Sequence, residues 1–120
     1  MIEAALCNYL QNNLELPVYA ERPANPPGAY YLIDKIGGGG SRFVHKSTFA
    51  IQSIVKAEPS NSKESAMILN EDLKEAMISD NGGALNISEV TKVELNGDYD
   101  FTDPESKEYR YQAVYEICHY

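Results

Sequence analysis

Apolar positions along this chain repeat at two different spacings, and the changes between them mark out its elements. Ile2, Ala5, Leu6, Tyr9, Leu10 and Leu14 recur at helical spacing, so residues 2 to about 15 predict an amphipathic helix stopped by Pro17. Val18 to Glu21 predicts a short strand. Pro23, Pro26, Pro27 and Gly28 then make a stiff, turn-rich linker into Ala29-Tyr30-Tyr31-Leu32-Ile33-Asp34-Lys35-Ile36, whose scant polar alternation predicts a central strand. After Gly37 to Gly40, a long β stretch runs from Arg42 to about Lys56, with Phe43, His45, Ser47, Phe49, Ile51, Ser53 and Val55 on one face. Its length suits a hairpin arm projecting from the domain.

Helical spacing returns with Ala66, Leu69, Leu73, Ala76 and Met77, behind several N-cap candidates in Glu58-Pro59-Ser60-Asn61-Ser62. A second helix is predicted over about Ser62 to Ser79, ended by Asp80-Asn81-Gly82-Gly83. Two strands complete the pattern, Val90 to Leu95 and Tyr109 to His119, joined by the acidic turn Asn96 to Pro104. In the last strand Tyr109, Tyr111, Ala113, Tyr115 and Ile117 share one face, while Arg110, Gln112 and Glu116 share the other. These elements predict an α/β domain of the α+β kind: one mixed, mostly antiparallel sheet of about four to five strands carrying two amphipathic helices.

Composition narrows the class. With 120 residues and 43% hydrophobic content, the chain suits one domain, residues 1–120, with a core that needs no metal or disulfide staple. Met1 to Cys7 lacks a basic leader and no run reaches membrane-spanning length, which predicts a cytoplasmic, untargeted protein. Cys7 and Cys118 show no metal-type spacing and read as small hydrophobic residues. A formal charge of −8 argues against a sequence-independent grip on nucleic acid, which needs clustered Lys and Arg to neutralise phosphate.

Candidate chemistry is sparse. Gly37-Gly38-Gly39-Gly40-Ser41-Arg42 lacks the Lys-Ser/Thr ending of a phosphate loop and precedes a strand instead of a helix, so the run reads as a mobile hairpin tip or interface loop. Asp98, Asp100, Asp103 and Glu105 do not match a calcium loop, and predict a turn whose acids face water while Tyr99 and Phe101 tuck toward the core. Those acids could alternatively line a pore or rim. His45 and His119 have no partner at a catalytic spacing, and no nucleophile elbow occurs. No catalytic, cofactor or metal site is therefore expected. Nine tyrosines, several in strands, suit sheet packing and also subunit contacts.

Five segments together carry a resemblance: Leu16 to Pro23, Pro27 to Ile33, Thr48 to Ser53, Asn96 to Asp103 and Tyr109 to Tyr115. In this order and separation the chain resembles a family of small tail-terminator or tail-completion proteins, often labelled minor capsid proteins, of long-tailed phages and prophages of Gram-positive bacteria. The resemblance implies a structural virion protein of the tail or neck, assembled in the host cytoplasm as a homo-oligomer. A hexameric ring would cap the tail tube, with tail-tube protein and the head connector or adaptor as partners and no cofactor or membrane. Six copies would carry about −48 formal charges, six times −8, so DNA would pass without specific binding. Gly37, Gly38, Gly39, Gly40, Arg42, Phe43, His45 and Phe49 are candidate subunit-interface residues. Asp98, Asp100, Asp103 and Glu105 are candidates for the lumen or partner face. Two alternatives stand beside this reading: a head-closure or adaptor protein of the neck, and a non-virion acidic module directed at a host protein.

Overall fold

The computed structural model describes residues 2–25, 27–40, 44–57, 63–78, 90–102 and 107–120, with the side chains of Ile78 and Thr91 outside that description. Helix α1 (Ile2–Asn13) leads into β1 (Val18–Tyr19), β2 (Ala29–Gly40) and β3 (His45–Lys56); α2 (Lys63–Ile78) then precedes β4 (Val90–Asp100) and β5 (Glu108–His119). The strands form one sheet in the order β1-β2-β3-β5-β4. β1 pairs with β2 in parallel and every other pair is antiparallel. This is the α+β fold expected. β3 and β4 run parallel to each other, so β3, α2 and β4 make a crossover with β5 inserted between its strands.

Both helices cover the same face of the sheet. Ile2, Leu6 and Leu10 of α1 and Leu73, Ala76 and Met77 of α2 share one core with Tyr31, Ile33, Phe49, Ile51, Ala113, Tyr115 and Ile117. The strand residues have a common parity, since Ile33 is opposite Ile51, Ile51 opposite Ala113, and Phe49 opposite Tyr115. Two tyrosine hydroxyls tie α1 to α2 and α2 to the sheet. Tyr9 donates to the Ala76 carbonyl at 2.8 Å and Tyr31 to the Leu69 carbonyl at 3.1 Å. The other face of the sheet carries no helix among the described residues.

Three expectations change. The glycine run is not a loose connection: Gly37 to Gly40 extend β2 and pair with Thr48, Ser47, Lys46 and His45. Glycine is demanded by space at only one of these positions, Gly40, where φ is 109° and a Cβ would come within 2.4 Å of the Val44 carbonyl oxygen. The predicted central strand, β2, is second from the edge, covered by β1 only at Tyr31 and Leu32. The centre belongs to β3, which is paired along its whole length from His45 opposite His119 to Lys56 opposite Glu108. That pairing embeds the β2–β3 hairpin in the sheet on the β5 side and leaves no separate arm among the described residues. It also removes Phe49 from the candidate interface residues, because its side chain is fully buried between sheet and helices.

Candidate functional site

The acidic segment is the place where local sequence and tertiary position disagree most. In β4, Val93 lies opposite Ile117 and Leu95 opposite Tyr115, both on the helix side. Asn96 is then an extra residue, and Gly97 resumes the ladder opposite Val114 on the open side. One inserted residue reverses the parity of everything after it. Asp98 and Asp100 therefore fall on the helix side, opposite Ala113 and Tyr111, and Tyr99 falls on the open side, opposite Gln112. Of the expected turn, the acid half holds, since Asp98 and Asp100 as whole residues stay exposed although on the helix side, while Tyr99 and Phe101 lie in the open instead of tucking inward.

Helix α2 receives both acids. Asp98 accepts hydrogen bonds from Asn70 Nδ2 and Lys74 Nζ, each at 2.6 Å. Asp100 pairs with Lys63 at 2.5 Å and accepts the Thr102 backbone N–H at 3.0 Å. The Lys63 ammonium, then the Thr102 donors, hold the Asp100 carboxyl down at about 2 against an ordinary 3.8. Hydrogen bonds to Asp98 and then Glu71 raise the Lys74 ammonium well above its usual range. These carboxylates are committed to ammonium groups and fasten an edge strand to a helix. Asp103 and Glu105 lie outside the described residues.

What the reversed parity exposes is an aromatic pair. Tyr99 and Phe101 are 44% and 42% exposed on the helix-free face, edge to face with centroids 6.0 Å apart. Gln112 anchors the pair by donating to the Tyr99 hydroxyl, and itself accepts from Gln52 Nε2 at 3.3 Å. The adjoining edge of β4 has no strand partner among the described residues. An apolar pair beside unpaired backbone donors and acceptors is an arrangement that binds another polypeptide. The chain matches no family model and no curated protein.

The same face is fastened at its other end by a charged cluster. Glu108, only 8% exposed, accepts from Arg22 Nη2 with both oxygens at 2.9 Å, from Arg110 Nη2 at 3.2 Å and from the Tyr30 hydroxyl at 3.4 Å. Arg22 and Glu108 are 86 residues apart, and no spacing cue joins them. Burial, then the neighbouring Glu108 charge, raises the Tyr30 phenol above its ordinary value.

Of the glycine-hairpin candidates, Gly38, Gly39, Gly40 and His45 are exposed, Gly37 is half-buried, and Arg42 and Phe43 lie outside the described residues. The His45 ring stands 5.7 Å from that of His119. His119 Nε2 is also 2.8 Å from Ser47 Oγ, a Ser–His contact across two strands that sequence spacing did not reveal. Ser47 is 2% exposed on the helix side, out of reach of a substrate. Among the described residues no three His, Cys, Asp or Glu side chains are grouped to hold a metal ion, and no helix is long and apolar enough to cross a membrane.

Among the described residues, an open cleft of about 860 Å³ lies between the end of α1 and the middle of α2. Leu14, Leu16, Leu69 and Tyr31 contribute its apolar lining, and Glu15, Asp72 and Glu75 its acidic one. No catalytic pairing enters it among the described residues.

Proposed function

We propose that this protein is a structural component of a phage or prophage virion, a ring-forming cap on the tail tube that takes part in joining tail to head. The observation that carries this reading is the exposed Tyr99–Phe101 pair beside the open edge of β4, a contact surface for another protein chain. The likeness of five segments to the tail-terminator family supports it. So does the charge of −8, because a ring of acidic subunits repels phosphate and lets DNA slide through. Asp98 and Asp100 are bound to α2, so the repulsion would come from the summed charge of the ring and not from those two groups.

The test is electron microscopy of particles from a phage or induced prophage lacking this gene, with the intact gene restored as control. Filled heads beside separate tails of irregular or excessive length are expected. Normal tails beside heads that have lost their DNA would move the assignment to head closure. Unaltered virions would overturn a structural role and leave the host-directed module.

A further inference from the structure

Charge in this chain is segregated by position. The span from Lys35 to Ala57 contains Lys35, Arg42, Lys46 and Lys56 and no Asp or Glu, a net of +4, although Lys35 and Lys46 are paired with Glu3 and Glu116 from outside it. The whole chain carries −8, so the remaining residues carry −12. Within the basic span, Arg42 and Phe43 form part of the connection between β2 and β3, a cation next to an aromatic.

The cleft between α1 and α2 has the complementary chemistry. Leu14, Leu16 and Leu69 offer an apolar floor, while Glu15, Asp72 and Glu75 are exposed and enter no ion pair with the described residues. Desolvating an unpaired carboxylate is costly, so a purely apolar occupant is disfavoured and one bringing a cation is favoured. A chain cannot fill its own cleft in this way. Tyr31 lines the cleft and Gly40 ends the same strand nine residues on, a separation of roughly 30 Å at 3.3 Å per residue.

We propose that the cleft receives the β2–β3 connection of a second copy of this chain. Phe43 supplies the aromatic group for the floor, and Arg42 the cation for the carboxylates. The two surfaces differ, so the contact is head-to-tail and repeats from copy to copy until it closes as a ring or continues as a filament. The inference rests on the self-assembling part of the proposed function and is independent of what the ring caps.

Two measurements on the full chain test it. In the first, Phe43 is replaced by photoreactive benzoylphenylalanine, and the adducts formed on irradiation are mapped by mass spectrometry. Adducts between copies are expected on the peptides holding Leu14 to Leu16 or Leu69 to Ala76. In the second, sedimentation velocity compares the parent with Asp72→Lys/Glu75→Lys, with Arg42→Glu, and with the three changes combined. Each one-sided reversal is expected to weaken association by about tenfold or more, and the combination to recover much of it. The reversed positions on α2 are exposed, and thermal melts show whether each variant folds; the photoadducts decide the question for any that does not. Assembly unmoved by reversal, or adducts elsewhere, would overturn this contact while leaving a ring in place. Monomers at every concentration, with no adducts between copies, would overturn both this contact and self-assembly.

Discussion

Lys74 Nζ lies 2.6 Å from Asp98 Oδ2, and through this ion pair helix α2 holds the edge strand β4. Both side chains are about three-quarters covered, which places the pair between a solvent-screened surface bridge and a buried one. Asp98→Ala also leaves Asn70 Nδ2 without its acceptor. The expected cost is about 1–2 kcal/mol, seen as a lower urea midpoint at unchanged slope. An unchanged midpoint would mean that the backbone ladder alone holds β4.

Phe101 should behave in the opposite way. Phe101→Ser removes exposed ring surface without opening a cavity, so the melting temperature should stay within a few degrees, an effect of about 0.5 kcal/mol or less. On the proposed role as a tail cap, complementation of a gene-deleted phage should nevertheless yield fewer joined particles. Full activity of the variant would remove the aromatic pair from the contact surface.

The Tyr115 hydroxyl is fully buried and has no hydrogen-bond partner among the described residues, and burial raises the phenol well above its ordinary value. Tyr115→Phe deletes an unsatisfied polar group while keeping the ring. Stability should rise by about 1 kcal/mol. A loss of that size would show the hydroxyl to be engaged.

Two neighbouring glycines should respond with opposite signs. At Gly39 a Cβ meets nothing within 4 Å, so Gly39→Ala should stabilise the paired strand by about 0.5 kcal/mol through the unfolded chain. At Gly40 positive φ and the Val44 carbonyl make Gly40→Ala destabilising by about 1–3 kcal/mol. Parallel thermal melts of the two variants decide this.

Asp100 gives a pH signature. Its folded value of about 2 lies below the ordinary 3.8, so its contribution is full above pH 4 and lost as pH falls through 2. Asp100→Asn should flatten that part of the acid-denaturation curve. The pair with Lys63 is exposed, so added salt should shrink the difference.

Strand β5 was legible in the sequence because one buried face leaves a period of two, and Tyr115 and Ile117 fall on the core side as predicted. The α2 stripe of Ala66, Leu73, Ala76 and Met77 was legible for the corresponding helical reason. The orientation of Asp98 was not. It depends on one extra residue, Asn96, whose Asn-Gly pair reads locally as a turn and acts in the sheet as a bulge. The glycine run misled similarly, since propensity disfavours a strand there and pairing with β3 imposes one. Arg22 with Glu108 and Ser47 with His119 meet only through the sheet order, which no local pattern encodes.

The place of β5 between β3 and β4 also sets an order of events during synthesis. The ribosome releases β3 and β4 before the strand that must separate them, and until it arrives each has an unsatisfied edge facing the gap. Nascent chains halted just before Glu108 should therefore be sensitive to proteases and quick to associate, acquiring resistance only when β5 has emerged. A sheet closed from its middle keeps both gap-facing edges exposed until β5 has been made.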